Sequence, residues 1–197
     1  MRNAHRFLLL AFVLSALMAG CTTNVFESTP VPPTPGPAPT PTTTAIPLTP
    51  VDKLGLTGTP VEVDIAAYRL VVDGLVERPL ALSYDELLAY PTVSWVLRLE
   101  CPGFFVDWAE WTGPLLRTVL EEARVRPEAS TVKFYDGDEY PYTRTLPLEQ
   151  ALRDDTILVH RVNGVTLPVE HGYPVRMAIG SELGDYWVKW LFRIEVQ

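Results

Sequence analysis

The sequence contains very little cysteine or histidine. Its 197 residues include two cysteines, Cys21 and Cys101, and three histidines. So few thiols exclude a disulfide framework, and they exclude a zinc module built from cysteine alone. Beyond the N-terminal segment the histidines are His160 and His171. A structural zinc site made from these two and Cys101 would therefore need carboxylates to complete its ligands.

Positive charge is also scarce. Lysine and arginine together number 16, against 24 aspartates and glutamates, and the formal net charge is −8. No cluster of basic residues interrupts this acidic balance. Proteins that bind nucleic acid present a basic patch to the phosphates, so we predict no nucleic-acid partner.

Residues 1–20 have the layout of a bacterial signal peptide. Arg2 and Arg6 precede the apolar run 7–18, and this run is too short to span a membrane. Two small residues then precede Cys21, as in the lipobox of bacterial lipoproteins. We predict that Cys21 is lipidated and anchors the protein to the outer face of a bacterial membrane, periplasmic or cell-surface. The alternative is ordinary secretion with an incidental cysteine.

Residues 21–50 are rich in proline and threonine and carry almost no charge. Such a segment cannot bury enough apolar surface to offset the entropy lost on ordering. Proline also favours an extended, semi-rigid chain. We predict that this segment is a tether between the anchor and a folded domain.

Residues 51–197 have the length of one domain and contain more predicted strands than helices. Alternation of apolar and polar residues predicts strands near residues 68–72, 93–99, 132–134, 157–162, 165–167 and 188–196. Helices are predicted after the capping box formed by Ser83 and Glu86, from 111–114 through Ala123, and near 148–152. Because the helices fall irregularly between the strands, we predict a single α+β domain that is mixed and mostly β.

Cys101 follows the strand predicted at residues 93–99 and precedes Pro102 and Gly103. Loops at strand ends often carry functional groups. A reactive thiolate there is a nucleophile or a ligand for a soft metal, whereas a buried cysteine acts as a small apolar residue. The position alone leaves both interpretations open.

Three basic side chains could together bind an anion. His171 and Arg176 lie in the conformationally restricted segment HGYPVR, and Lys189 lies between two tryptophans on the last predicted strand. The alternatives are a hydrogen-bonded surface turn and a solvated lysine. A cysteine hydrolase that pairs Cys101 with His171 is a further alternative, although no nucleophile motif supports it.

The order of these motifs resembles a known family. The runs LRLECPGFF, WTGPLLRTVLEEA, HGYPVRMAIG and VKWLFRIEV follow one another as in the molybdopterin-binding domain of the sulfite oxidase family. The resemblance covers roughly residues 65–197. It implies a mixed α+β fold with much β-structure, in agreement with the strand pattern, and a molybdenum–molybdopterin cofactor.

The resemblance also implies a set of site residues. In that family the cysteine after the strand gives its thiolate to molybdenum, so Cys101 would be the metal ligand and the catalytic residue. Soft sulfur suits such a metal. The family's cofactor-binding positions fall on Asp138, His171, Arg176, Trp187, Val188 and Lys189.

The function implied is transfer of an oxygen atom on a small oxo-compound, with electrons passed to a partner redox protein. Sulfite oxidases carry arginines just after the cysteine, which hold the anionic substrate. This chain has Pro-Gly-Phe-Phe-Val-Asp in that place. We therefore expect a small-molecule substrate other than sulfite.

A cofactor-free binding or interaction module on the same fold is the alternative. Residues 48–63, LTPVDKLGLTGTPVEV, contain no counterpart of the family's N-terminal pterin-contacting motif, and the signal segment has no twin arginine. The retained Cys101, His171, Arg176 and Lys189 favour the oxidoreductase instead.

Overall fold

The computed structural model of the chain describes residues 45–137 and 142–197. In this part the chain forms eleven strands and three short α-helices. The strands are β1 Leu70–Gly74, β2 Leu80–Leu82, β3 Thr92–Cys101, β4 Phe105–Pro114, β5 Thr131–Asp136, β6 Thr143–Pro147, β7 Thr156–Val159, β8 Arg161–Val162, β9 Val165–Thr166, β10 Arg176–Ile179 and β11 Leu191–Val196. The helices are α1 Tyr84–Leu88, α2 Leu116–Ala123 and α3 Leu148–Ala151.

The strands form three sheets. A five-stranded sheet has the order β2-β1-β11-β5-β6, in which β1 and β11 are parallel and the other neighbours are antiparallel. A four-stranded sheet has the order β3-β4-β8-β9, and β7 pairs with β10. The predicted fold class is confirmed, because the domain is mixed and most of its regular structure is β.

The hairpin of β3 and β4 positions Cys101. The two strands pair from Thr92 with Pro114 to Cys101 with Phe105. The turn between them has proline second and Gly103 third, with a φ of 81° at the glycine. The Phe104 N–H donates to the Cys101 carbonyl at 3.0 Å. This is the arrangement of a type II turn, so Pro102 and Gly103 fix the cysteine at the strand end.

The inner face of β4 packs closely on β7. Trp111 is fully buried, and Gly113 lies so near β7 that an added Cβ would stand 2.0 Å from the Leu158 carbonyl oxygen. Strand β7 is buried along its whole length, as is β10 beside it. This contact joins the sheet that carries Cys101 to the pair of strands that carries Arg176.

Several local sequence predictions are confirmed. Ser83 and Glu86 form the capping box at the start of α1. The dipeptide Asn163-Gly164 predicts a type I′ hairpin, and in the turn between β8 and β9 these residues have the positive φ values that it requires, 47° and 78°. Cys101 is the last residue of β3.

Two predicted elements differ from the structure. Residues 111–114, predicted to begin a helix, belong to β4, and α2 begins at Leu116. Lys189 was predicted on the last strand, but β11 begins at Leu191. Trp190 has a φ of 49°, which breaks the extended conformation just before the strand.

The end of the predicted tether contacts the domain. The Thr49 N–H donates to the Trp108 carbonyl at 2.7 Å, and the Asn163 side chain donates to the Thr49 carbonyl at 2.9 Å. No helix in residues 45–137 or 142–197 has the length and apolar character needed to cross a membrane.

Candidate functional site

One cavity is lined by four of the predicted site residues, Cys101, Arg176, Trp187 and Lys189. Its volume is about 420 Å³. The remaining lining residues are Gly55, Thr57, Gly58, Thr59, Val61, Leu99, Phe105, Asp136, Tyr142, Gly184, Asp185 and Trp190. The cavity therefore brings together the end of β3, the start of β10, the segment before β11 and the N-terminal segment 55–61.

Arg176 is a buried cation in the cavity wall. The residue is 3% exposed, and its guanidinium lies 5.0 Å from the ring centroid of Trp111 and 5.3 Å from that of Trp187. Nη1 donates to the His171 carbonyl at 3.2 Å. Nε is buried and has no hydrogen-bond partner among the described residues.

The charge of Arg176 has no carboxylate partner in residues 45–137 and 142–197. Burial lowers the pKa of Arg176 to about 9, so the guanidinium remains charged at neutral pH. A buried charge without a partner is destabilising, and an anion with hydrogen-bond acceptors would relieve the penalty. The geometry is that of an anion site.

Lys189 lies beside Arg176. Nζ donates to the carbonyls of Thr57 and Glu170, the latter at 2.9 Å, and stands 4.8 Å from the ring centroid of Trp190. Burial and the charge of Arg176 lower the pKa of Lys189 to about 8. The two cations thus repel each other, and a shared anion would offset this repulsion.

Cys101 is partly buried and is the free cysteine of the described residues. Beside it, the Tyr142 hydroxyl donates to the Asp185 carbonyl, and the Tyr142 N–H donates to the Asp136 carboxylate at 2.9 Å. Arg144 stacks on the Tyr142 ring at 4.2 Å and pairs with Asp185 at 3.8 Å. Burial raises the pKa of Tyr142, so its hydroxyl keeps its proton at neutral pH.

His171 is separated from Cys101. It lines a second cavity of about 490 Å³, whereas Cys101 lines the first; the other lining residues of the second cavity are Val51, Asp52, Leu54, Leu56, Pro168 and Glu170. Burial and the charges of Arg176 and Lys189 lower the pKa of His171 to about 4, although a hydrogen bond with the Val51 backbone opposes the shift. The imidazole is therefore neutral at pH 7. This placement does not support the cysteine hydrolase that would pair Cys101 with His171.

The other predicted site residues are placed as follows. Trp187 is 3% exposed, and its Nε1 donates to the Ile179 carbonyl at 2.9 Å, which fixes the ring against Arg176. Val188 is fully buried, and its carbonyl accepts the Met177 N–H at 2.8 Å. Asp138 and Cys21 lie outside the described residues.

The segment 55–61 forms one wall of the cavity, although the sequence assigned it no role in the site. The Gly55 N–H donates to the buried carboxylate of Asp107 at 2.7 Å, and Gly58 lies against the Trp190 ring. The signal that could have indicated this wall is the run GLTGT, whose two glycines allow close approach of the backbone.

Asp136, Tyr142 and Asp185 were also missed. Asp136 ends β5, Tyr142 precedes β6, and Asp185 lies in the turn 184–186 before β11. Asp136 and Tyr142 lie at strand ends and Asp185 lies in a short turn, and functional residues are common in both places. No spacing in the sequence links them, because they meet only in the folded chain.

Comparison with known proteins identifies the family. The model of the family described as the oxidoreductase molybdopterin binding domain matches residues 57–197. This chain belongs to that family. Its relatives include sulfite oxidases, and the resemblance predicted from the ordered motifs is thereby confirmed.

Three relatives show the extent of the similarity. The mitochondrial sulfite oxidase of Rattus norvegicus is 31% identical over 162 residues, covering 68% of this chain and 30% of the enzyme. The catalytic subunit of the protein-methionine-sulfoxide reductase of Gluconobacter oxydans is 28% identical over 145 residues, covering 66% of this chain and 46% of that protein. The crystal structure of the sulfane dehydrogenase SoxCD from Paracoccus pantotrophus has a TM-score of 0.66 at 30% identity, covering 76% and 46% of the two chains.

The chain spans less than half the length of each of these relatives. The family molybdopterin-binding domain is therefore the part that they share with it. The fold of the SoxCD chain agrees with the mostly β domain described above.

The low pKa of His171 predicts an acid-sensitive component of stability. The unfolded chain binds a proton at this imidazole below about pH 6.5, while the folded chain does so only near pH 4. Stability should therefore fall as pH drops from about 6.5 to 4. In His171→Gln this component is absent, so its free energy of unfolding, measured by urea denaturation, should depend less on pH in that window.

His160→Gln is the comparison variant: burial and the charge of Arg161 lower the pKa of this imidazole too, so the substitution removes its own acid-sensitive component and leaves His171 in place. It should retain the His171 component. Equal pH dependence in the wild type and His171→Gln would contradict the prediction.

Proposed function

We propose that the chain is an exported, lipid-anchored oxidoreductase that binds a molybdenum–molybdopterin cofactor. Its reaction is transfer of an oxygen atom on a small oxo-compound other than sulfite, and a partner redox protein carries the electrons. Cys101 is the proposed metal ligand and catalytic residue. His171, Arg176, Trp187, Val188, Lys189 and Asp138 are the proposed cofactor-binding residues.

The observation that carries the proposal is the pair of cations in the cavity of Cys101. Arg176 has a buried Nε without a hydrogen-bond partner, and the neighbouring Lys189 forms no ion pair with a carboxylate of the described residues. The molybdopterin phosphate is an anion of the size and charge that this pair would hold. The residues present therefore fit the group on both counts, with basic donors for its phosphate and a thiol for its metal.

In the proposed site, Cys101 is the metal ligand that the described chain supplies. Among the described residues no three His, Cys, Asp or Glu side chains converge on a metal position. A metal at Cys101 would therefore take its other ligands from the cofactor. When bound, the cofactor supplies the redox and oxygen-transfer chemistry. Cys101 would hold the metal, Arg176 and Lys189 would orient the phosphate, and Trp111 and Trp187 would keep water from the guanidinium.

The segment after Cys101 supports a substrate other than sulfite. Residues 102–107 contain no arginine, and Arg98 is engaged by Glu100. The sulfite oxidase relative is named for an anionic substrate, whereas the methionine-sulfoxide reductase relative is named for an uncharged sulfoxide. The cavity residues around Cys101 accord better with an uncharged oxo-compound.

A cofactor-free binding module remains the second candidate, and one observation favours it. The Lys189 ammonium already donates to two backbone carbonyls, those of Thr57 and Glu170. A phosphate would therefore compete with bonds that exist without it. The Arg176 Nε–H, by contrast, has no hydrogen-bond acceptor in the described chain. This favours the cofactor-binding proposal.

The first test of the proposed function is molybdenum content. Protein should be purified from a host able to make the cofactor, both full-length and without residues 1–20 so that it stays in the cytoplasm. We expect close to one molybdenum and one pterin per chain in at least the cytoplasmic form. Cys101→Ser should lose the metal, because serine offers a hard oxygen in place of soft sulfur.

Thermal unfolding of Cys101→Ser serves as the control, since the fold should survive the change. A well-folded wild-type chain without molybdenum in either form would refute the oxidoreductase and leave the binding module. Metal in the cytoplasmic form alone would mean a competent site that export leaves empty.

The second test concerns the two cations. Arg176→Met and Lys189→Met should each weaken cofactor retention, because a charge-assisted hydrogen bond contributes about 1.5–3 kcal/mol. This corresponds to roughly tenfold to hundredfold faster loss of pterin on dialysis. Arg117→Met, which removes an exposed arginine paired with Asp154, is the matched control and should retain the pterin. Retention in both site variants would assign these residues a purely structural role.

The third test concerns the anchor. If Cys21 is acylated, the protein should partition into detergent, because each buried methylene of the acyl chains contributes about 0.8 kcal/mol. Cys21→Ser should release the protein to the soluble fraction, while Cys101→Ser should remain in the membrane fraction. An unchanged membrane fraction for Cys21→Ser would exclude the anchor.

A further inference from the structure

Segment 55–61, the N-terminal wall of the cavity, is attached at one side to the cations. The Lys189 ammonium donates to the Thr57 carbonyl. Gly58, next along the segment, lies against the Trp190 ring, whose centroid stands 4.8 Å from the same ammonium. This part of the wall is therefore held by residues of the proposed anion site.

The other side of the wall is attached to the hairpin that carries the thiol. Gly55 lies against strand β4, where its N–H donates to the carboxylate of Asp107 at 2.7 Å. A Cβ added to Gly55 would stand 2.2 Å from the Phe105 ring. Phe105 in turn pairs with Cys101 across the hairpin. Contact with these two alternate residues of β4 places the start of the wall beside the thiol.

Asp107 is an acidic residue in an apolar position. It is 6% exposed, and it forms no ion pair with any residue of the two described ranges. Burial of a carboxylate is unfavourable unless hydrogen bonds replace the water that it loses. Within the described chain its side chain accepts the N–H of Gly55. Attachment of the wall therefore accounts for a carboxylate where an apolar side chain would suit the core better.

Other contacts hold this part of the wall less firmly. Leu54 is buried directly before the wall, but the side chain of Leu56 is 55% exposed. A segment with few buried apolar contacts opens locally at a low free-energy cost. Loss of the hydrogen bond between Gly55 and Asp107 should therefore raise the population in which the wall is open on the thiol side.

We propose that Asp107 is a positioning residue that holds the wall closed on the thiol side and thereby slows the loss of a ligand bound between the cations and Cys101. Asp107 does not itself line the cavity, so it acts through Gly55. Its effect on the cofactor rests on the proposed function. Its effect on the wall is tested separately, without the cofactor.

Two substitutions of similar size separate the hydrogen bond from the space that the side chain fills. Asp107→Leu removes the acceptor, whereas Asp107→Asn retains a carbonyl oxygen for the Gly55 N–H. Both remove the charge, so any electrostatic effect on the thiol is common to the two variants. The parent is full-length Cys21→Ser, in which Cys101 is the sole cysteine. The positioning role predicts that asparagine preserves the wall and leucine does not.

Opening of the wall is measured with thermolysin, which cleaves before large apolar residues, on protein from a host that lacks the cofactor. Cleavage before Leu56 follows the open population when opening and closing are fast. Asp107→Leu should raise the rate of this cleavage about tenfold, while Asp107→Asn should stay within about twofold of the parent. Alkylation of Cys101 by iodoacetamide, an uncharged reagent, should rise in Asp107→Leu and not in Asp107→Asn.

Gly55→Ala changes the wall from its own side of the contact. The added methyl group would collide with the Phe105 ring, so this variant should open the wall as Asp107→Leu does, and it decides the question if the leucine variant does not fold. Thr156→Val is the matched control for a loss of stability. It removes a buried hydroxyl that donates to the Gln150 carbonyl, and it does not line the cavity. It should leave cleavage and alkylation unchanged.

The cofactor-loaded protein tests the consequence for the ligand. Loss of pterin on dialysis should be about tenfold faster in Asp107→Leu than in the parent, and unchanged in Asp107→Asn and Thr156→Val. Faster cleavage before Leu56 with unchanged loss of pterin would overturn the role of the wall in retention. Equal cleavage and alkylation in the parent, Asp107→Leu and Gly55→Ala would overturn the positioning role.

Failure of the proposed function can be told apart from failure of this inference. Pterin and molybdenum are assayed on the samples used for dialysis, so a parent chain that binds neither refutes the proposed function. In that case proteolysis and alkylation decide whether Asp107 positions the wall, because both are measured on protein without cofactor.

Discussion

The structure of the site depends on burying one arginine, Arg176, to which residues 45–137 and 142–197 offer no carboxylate. Arg176 lies against the rings of Trp111 and Trp187, which come from β4 and from the segment before β11. Stacking offsets part of the desolvation of the guanidinium, and the His171 carbonyl accepts one of its hydrogen bonds. The Nε–H is also buried and has no hydrogen-bond partner in the described chain. The buried guanidinium is therefore a preformed site at which an anion can neutralise the charge. Three separate segments of the chain meet around it in the cavity.

The cysteine reaches the same cavity by a different route. A rigid hairpin turn fixes Cys101 at the end of β3, while close packing of β4 on β7 sets the distance between the hairpin and the strand that begins with Arg176. Local turn chemistry determines the direction of the thiol, and tertiary packing determines how far it lies from the cations. A ligand that contacts both the Cys101 thiol and the two cations must match this spacing. The arrangement thus explains why one chain segment alone could not define the site.

The sequence predicted the features that local chemistry controls. The position of Cys101, the capping box at Ser83 and the turn at Asn163 each follow from residues within a few positions of one another. Strand β4 was missed because its buried face contains Asp107, Ala109 and Gly113 beside Trp111, while Val106 lies half exposed on the other face. The sequence of β4 therefore lacks the regular alternation of apolar and polar residues from which a strand is predicted. The cavity wall at residues 55–61 was missed because its contacts are distant in the chain, as in the bond from Gly55 to Asp107 across 52 positions.

Lys189 links the N-terminal segment to the anion site. Its ammonium donates to Thr57 in the segment and to Glu170 before the glycine that brings Arg176 close. An ammonium has three donors, so an anion can add a third bond or replace the Thr57 carbonyl. Replacement would free a backbone carbonyl of the wall, and the segment would then move or recruit water. In that case occupancy of the anion site would be coupled to the placement of segment 55–61 through the Lys189 side chain. Gly55 and Thr57 of the segment line the cavity of Cys101 and Leu56 lines that of His171, so the segment borders both cavities.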